Sequence, residues 1–339
     1  MTTPFSSLGL APAMLANLAA LGYETMTPIQ AASLPEILAG HDLIAQARTG
    51  SGKTAAFGLG LLGKVEPRRA GTQAIVLCPT RELAEQVATE LRKLARPLAN
   101  LKLLVLCGGV PLGPQLGSLR HGAHVVVGTP GRIGKHLRAG TLELGAVQVL
   151  VLDEGDRMLD MGFADEIIAI VDHTPASRQT LLFSATYPAD IERISAAIQR
   201  EPRRIAVDEA HDAAHIEQHF HEVASSAAID ALARLLAHHR PSSAVVFCNT
   251  KLRGAEVARE LGRLGVPALA LHGDLEQPDR ERTLAMFANG SARVLVATDV
   301  AARGLDIDEL AAVINLELPL DAEVYVHRIG RTGRAGAGG

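Results

Sequence analysis

Short, unbroken apolar runs recur along this chain, and each one stops abruptly in small or polar residues. AIVLCPT (74–80), HVVVGTP (124–130), VQVLVLDE (147–154) and TLLFSAT (180–186) share this build. A strand that is apolar without alternation is buried on both faces, as in a parallel sheet covered by helices. The intervening stretches have helical spacing: in RELAEQVATELRKLA (81–95) the apolar positions Leu83, Val87, Leu91 and Leu94 fall on one face. The expected fold class is therefore α/β, with parallel sheets flanked by helices. Such sheets receive ligands at the carboxyl ends of their strands, which is where the polar residues of every run sit.

The pattern restarts after a polar stretch, DEAHDAAH (208–215). Beyond it come IEQHFHEVA (216–224), AVVFCNT (244–250), ALALHGD (268–274), RVLVATDVAARG (293–304) and AVINLELP (312–319). A chain of 339 residues is long enough for two cores. We expect a first domain over 1–206, a linker over 207–215 and a second domain over 216–339. His211, His215, His219 and His221 bring i, i+4 histidines to the start of that second part. No Cys or suitably spaced carboxylate accompanies them, and IEQHFHEVA alternates like a strand, so a strand is preferred to a zinc site.

Hydrophobic residues make up 47% and charged residues 21%, which excludes a disordered chain. No apolar run reaches the ~20 residues of a membrane span, and no secretory leader is recognisable. Cys78, Cys107 and Cys248 lie far apart inside apolar runs, as buried hydrophobes of a reducing, cytoplasmic protein would. Net charge is −4 in all, with residues 1–206 at +2 and 207–339 at −6. A nucleic acid would have to be held by local groups rather than by a basic surface.

The segment Ala47, Arg48, Thr49, Gly50, Ser51, Gly52, Lys53, Thr54 follows the apolar pair Leu43-Ile44 and leads into the apolar stretch AAFGLGLL. It fits a phosphate loop, in which glycines let backbone N–H groups turn toward phosphates at a helix N-terminus. Lys53 would reach the β- and γ-phosphates of ATP, and Thr54 would coordinate Mg²⁺. Such a site needs a carboxylate on the metal from a neighbouring strand end, and Asp153 supplies it. Read alone, DEGD (153–156) is an acidic helix start. Beside a phosphate loop, Glu154 becomes the candidate base for the attacking water.

GYETMTPIQ (22–30), AQARTGSGKT (45–54), PTRELAEQ (79–86), Gly108-Gly109, TPGR (129–132), DEGD, SAT (184–186), VVFCNT, QPDR (277–280), ATDVAARGLD (297–306) and HRIGRTGR (327–334) follow one another in order. With these motifs the chain resembles the DEAD-box ATP-dependent RNA helicases over nearly its whole length, most of all the bacterial DbpA subfamily. The resemblance implies two RecA-like domains that close over ATP and RNA. It implies that Gln30 reads the adenine edge, with Phe5 and Tyr23 packed on the base or serving only as core. Asp306 takes the ribose. Asp156, Ser184, Thr186 and His327 form a coupling network, and Arg331 and Arg334 act as arginine fingers. RNA contacts fall on Pro79, Thr80, Arg81, Gly108, Gly109, Thr129, Arg132, Thr298 and Gly304. With no Trp and 3% aromatic residues, base stacking would contribute little.

Two departures stand out. Gly155 replaces the family's Ala in DEAD, and the second domain stops at RIGRTGRAGAGG, short of the strand, helix and RNA-recognition module that the resemblance implies. The expected function is RNA-stimulated ATP hydrolysis by a monomer, opening short duplexes of ribosomal RNA during large-subunit assembly. An ATP-gated RNA clamp with weak turnover is the alternative. A DNA translocase is disfavoured by GYETMTPIQ, which typifies RNA enzymes.

Overall fold

The computed structural model describes residues 3–47, 50–207, 216–299 and 310–332. The chain divides into two compact units, Met1–Asp208 and Glu209–Gly339.

The first unit opens with helices α1 (Pro12–Ala20) and α2 (Pro28–Leu38). It then alternates β1 (Leu43–Gln46), α3 (Lys53–Lys64), β2 (Ala74–Leu77), α4 (Arg81–Leu94), β3 (Leu103–Leu106) and α5 (Leu112–Arg120). The alternation continues with β4 (Val125–Gly128), α6 (Pro130–Arg138), β5 (Val149–Leu152), α7 (Gly155–Asp160), α8 (Ala164–Val171), β6 (Gln179–Ser184), α9 (Ala189–Ile198) and β7 (Arg203–Ala206). The seven strands form one sheet in the order β3-β4-β2-β5-β6-β1-β7, and every described pairing is parallel. Strands β2, β4, β5 and β6 are buried along their whole length, which explains their unbroken apolar sequences.

Helix α4 shows how the sequence sets these elements. Thr80 Oγ1 accepts from Leu83 N at 3.3 Å as the N-cap, a contact typically worth ~1 kcal/mol. Leu83, Ala84, Val87, Ala88, Leu91 and Leu94 then bury one continuous stripe against the sheet.

The second unit contains α10 (Ala228–His239), β8 (Ala244–Phe247), α11 (Lys251–Arg263), β9 (Ala268–Leu271), α12 (Gln277–Ala288), β10 (Val294–Ala297), β11 (Ala312–Asn315) and α13 (Ala322–Ile329). Its sheet is also parallel, in the order β11-β8-β10-β9.

One expected strand is absent. Residues 216–224 have no regular structure, although IEQHFHEVA alternates. Alternation makes a strand only where one face is covered, and here Phe220 is 74% exposed and Val223 47%. Cys78, Cys107 and Cys248 are free and buried, and burial pushes the Cys107 and Cys248 thiols up to about 12. Among the described residues no helix is long and apolar enough to cross a membrane.

Candidate functional site

Register in the first sheet aligns the strand ends that carry the motifs. Leu106 pairs with Gly128, Gly128 with Leu77, Leu77 with Leu152, and Leu152 with Leu182, so the loops beyond them emerge side by side. The sheet is thereby divided. Strands β1, β5 and β6 present the phosphate loop, DEGD and SAT, while β2, β3 and β4 present PTREL, Gly108-Gly109 and TPGR.

Gly50 (φ +84) and Gly52 (φ +90) carry the left-handed turns of the phosphate loop, and Gly52 caps α3. Ala47 and Ser51 are buried; Arg48 and Thr49 lie outside the described residues. Two side chains at the start of α2 hold the loop from behind. Thr27 Oγ1 donates to Ser51 O at 2.8 Å, and Gln30 Nε2 donates to Gly52 O at 3.0 Å. Gln30 Oε1 also accepts from Thr27 N at 2.9 Å, completing a capping box. A Cβ at Gly52 would collide with the Gln30 amide, so glycine is required there by approach as well as by φ. Gln30, expected to read a base, thus spends both ends of its amide on α2 and the loop.

Phe5 is buried in the core and meets Tyr23 edge-on, with ring centroids 6.1 Å apart. Tyr23 donates its hydroxyl to Glu90 Oε1 at 2.7 Å, and burial together with that carboxylate pushes its pKa up. Phe5 thus packs in the core, and Tyr23 packs beside it with its hydroxyl on Glu90.

Lys53 is the first residue of α3 and is 6% exposed; its Nζ lies 3.8 Å from Asp153 Oδ1. Neither atom has a hydrogen-bond partner among the described residues. Burial pushes the Asp153 carboxyl up to about 6, against the opposing pull of the Lys53 charge. Two opposite charges held under-coordinated in the interior cost stability unless a ligand completes them. Thr54, next in α3, is half-buried. A hydroxyl and a carboxylate are hard oxygen donors of the kind Mg²⁺ takes alongside phosphate oxygens and water. No group of three or more His, Cys, Asp or Glu that could cage a metal occurs among the described residues. One carboxylate and one hydroxyl fit an ion that takes its remaining oxygen ligands from phosphate and water.

Glu154 adopts a left-handed conformation (φ +52, ψ 54), an uncommon one for a residue other than glycine. Its Oε2 accepts from Arg157 Nη1 at 2.7 Å, with both side chains largely buried. Gly155, the next residue, does not have positive φ; a Cβ there would lie 3.3 Å from Ile191 Cδ1 and 3.6 Å from Leu182. Asp156 is the hub of a hydrogen-bond network. Its Oδ2 accepts from Thr186 N and Thr186 Oγ1, each at 2.9 Å, and from Ala185 N at 3.1 Å. Ser184 Oγ accepts from Asp156 N at 3.3 Å. Asp156, Ser184 and Thr186 are thus brought together, while the side chain of His327 lies outside the described residues.

On the other half of the sheet, Pro79 is buried, and Thr80 and Arg81 open α4. The Arg81 guanidinium occupies the space a Cβ would need at Gly109, whose φ is +76. Gly108 and the N-cap residue Thr129 follow the ends of the neighbouring strands β3 and β4. Arg132 turns inward: its Nη1 donates to Gln115 Oε1 at 2.6 Å and its Nη2 to Val110 O at 2.8 Å.

In the second unit, Thr298 directly follows β10, and Arg331 lies in the turn after α13. Gly304, Asp306 and Arg334 lie outside the described residues. Sequence reasoning missed Arg328, which is 2% exposed. It clamps Asp299 with two bonds (2.6 and 2.7 Å) and donates to Asn315 Oδ1, Glu317 O and Asn249 Oδ1. It also stacks over Phe247 at 5.0 Å. Its place between His327 and Arg331 was the only signal. Arg157 and Gln115 were missed as well.

Comparison with known proteins places this architecture. Residues 27–194 match the DEAD/DEAH box helicase domain, and residues 227–336 match the helicase conserved C-terminal domain. The chain is similar to the ATP-dependent RNA helicase DbpA of Escherichia coli (strain K12), with 60% identity over 99% of this chain and 74% of that protein. It is also similar to the DEAD-box ATP-dependent RNA helicase CshA of Bacillus cereus (strain ATCC 10987 / NRS 248), with 47% identity over 99% of this chain and 64% of that protein. Among solved structures, S. cerevisiae Dbp5 bound to RNA and ADP BeF3 superposes with a TM-score of 0.88 at 32% identity, covering 98% of this chain and 87% of that one. A DEAD box protein from the hyperthermophile Methanococcus jannaschii gives a TM-score of 0.59 at 42% identity, covering 99% of this chain and 91% of that one.

Proposed function

We propose a mechanism from one premise: the chain belongs to the DEAD-box family of ATP-dependent RNA helicases, ATP-hydrolysing enzymes built on two RecA-like domains. The function proposed is RNA-stimulated ATP hydrolysis coupled to local opening of short RNA duplexes. The observation that carries it is the buried Lys53–Asp153 pair, left without hydrogen-bond partners among the described residues, beneath a loop of left-handed glycines.

In this reading Lys53 and the N–H groups of Gly50, Ser51 and Gly52 hold the phosphates of ATP, with Ala47, Arg48 and Thr49 completing the loop. Asp153 and Thr54 would hold Mg²⁺, which would supply charge neutralisation at the phosphates. Glu154, kept in place by Arg157, takes the proton of the attacking water. Arg331 and Arg334 of the second domain stabilise charge on the transferring phosphoryl group, and Asp306 binds the ribose. Asp156, Ser184 and Thr186 relay the state of the metal site, with His327 as their counterpart. Gln30 reads the adenine edge once its bond to the loop is exchanged, and Phe5 and Tyr23 support the base from the core.

RNA lies across Pro79, Thr80, Arg81, Gly108, Gly109, Thr129 and Arg132 in the first domain and Thr298 and Gly304 in the second. Small and hydroxyl-bearing strand ends suit phosphates and 2′-hydroxyls, so recognition is of backbone rather than of sequence. We assign the first domain to 1–206, the linker to 207–215 and the second domain to 216–339. We extend the proposal, on the motif resemblance alone, to ribosomal RNA of the large subunit as the target, acted on by a monomer in the cytoplasm.

A strand-displacement assay tests the reading. Short RNA duplexes should open with ATP and Mg²⁺ and not with ADP. A protein that binds RNA tightly in ATP yet neither opens duplexes nor releases phosphate would instead be an ATP-gated clamp.

A further inference from the structure

Three elements in the RNA-facing half of the first sheet meet at one buried amide. Gln115, on α5, is 7% exposed. Its Nε2 donates to Cys107 O at 3.1 Å, at the end of β3 immediately before Gly108-Gly109. A carbonyl oxygen only accepts, so the amide nitrogen is fixed on that side and Oε1 on the other. That oxygen takes two donors: Arg132 Nη1 at 2.6 Å and His136 Nε2 at 3.0 Å.

His136 is 1% exposed, and its other ring nitrogen pairs with Thr141 Oγ1 at 2.9 Å. Because Gln115 Oε1 offers only lone pairs, the Nε2 proton of His136 is obligatory. Burial, reinforced by the Arg132 and Lys135 charges, holds the imidazole below its usual pKa, which favours the neutral ring with its proton on Nε2. Arg132 completes the circuit by donating from Nη2 to Val110 O, on the far side of the glycine pair. The loop 108–110 is therefore tied at both ends, through Cys107 O and Val110 O, to α5 and α6. Arg81 rests on Gly109, so it depends on where that loop lies.

We propose that Gln115 and His136 are positioning residues for RNA, a buried brace that sets the relative placement of the Gly108-Gly109 loop, Arg132 and Arg81. Neither residue belongs to a motif that contacts RNA in the reading above. They act by fixing three groups contributed by different strand ends to one rigid spacing. Phosphates along an RNA backbone recur at set intervals, and holding the contacts at matching positions before RNA arrives removes an ordering cost from binding. The inference rests on the assignment of RNA to these loops.

The test is RNA-stimulated ATPase measured against RNA concentration for Gln115→Met, Gln115→Glu and His136→Leu. Removing a bond to the Arg132 cation should raise the RNA concentration for half-maximal stimulation about tenfold. Turnover at saturating RNA and KM for ATP should stay near wild type. Gln115→Glu keeps the acceptor for Arg132 and His136 but sets an acceptor oxygen against Cys107 O in place of the Nε2 donor, so it should recover part, and only part, of the RNA affinity that Gln115→Met loses. A purely structural role would instead lower the folded fraction and turnover and leave the half-maximal RNA concentration unchanged. If Gln115→Met does not fold, His136→Leu, which leaves the Gln115–Arg132 bond in place, decides the matter by the same measure. Unchanged RNA dependence in variants of a stimulated wild type overturns the brace alone. A wild type that RNA does not stimulate overturns both the brace and the RNA assignment.

Discussion

Arg157 Nη1 and Glu154 Oε2 lie 2.7 Å apart in a buried i, i+3 ion pair that opens α7. The pair fixes a carboxylate whose backbone is already held in an uncommon left-handed conformation. Local strain of this kind persists where the surroundings over-determine it, and it concentrates at reacting groups.

The first prediction follows from that geometry. In Glu154→Gln the amide oxygen still accepts from Arg157, so the fold and the binding of ATP and RNA should survive. The base is lost, and turnover should fall by ~10²–10⁴. Nucleotide affinity by titration and phosphate release by a coupled assay check the two halves. Near-normal release would remove Glu154 from the mechanism.

Gly155 contributes no reacting atom, and its φ needs no glycine. An alanine methyl would enter an apolar niche made by Ile191 and Leu182, with its tightest contact at the terminal methyl of Ile191. We expect Gly155→Ala to stabilise the protein by roughly 0.5–1 kcal/mol, mainly by restricting the unfolded chain. Turnover should change by less than about tenfold, upward, because ~1.36 kcal/mol corresponds to a factor of ten. Thermal unfolding and RNA-stimulated turnover of the two proteins test this; an inactive Gly155 protein revived by alanine would favour the clamp.

Asp153 gives a pH dependence with a definite sign. Its folded pKa is raised to about 6 by burial, whereas an ordinary Asp titrates near ~3.9. Between those values the folded protein holds a proton that the unfolded chain has released, so this group's contribution to stability falls as pH rises and then levels off. Asp153→Asn has no such titration. Without nucleotide or metal, the Tm of Asp153→Asn minus that of the wild type should grow from pH ~4 to pH ~6 and stay constant above it. A difference that is flat, or that shrinks across the window, contradicts the assignment.

The strands of the first sheet were legible because burial on both faces writes itself as uninterrupted apolar sequence. IEQHFHEVA shows the limit: its alternation is genuine, but a strand also needs a neighbour, and sequence does not say whether one is present. The edge strand Arg203–Ala206 hides for the opposite reason, since its residues are mostly exposed and carry no apolar signature. The phosphate loop, DEGD and SAT were legible as local motifs whose chemistry resides in residue type and spacing. Arg328 was not, because its partners come from residues 249, 299, 315 and 317, which only the sheet order brings together. Gln115 and His136 were missed for the same reason. The left-handed Glu154 had no sequence signal, as nothing in its type demands that conformation.

The proposed function places ATP hydrolysis at the Lys53–Asp153 site, under the control of RNA. Steady-state phosphate release at saturating ATP and Mg²⁺, with and without RNA, decides this when wild type and Lys53→Ala are measured together. We expect slow release by the wild type alone, a clear rise on adding RNA, a weaker rise with DNA of the same sequence, and no release above background by Lys53→Ala in either condition. Wild-type rates that are equal with and without RNA, or RNA-stimulated release that survives in Lys53→Ala, would contradict it.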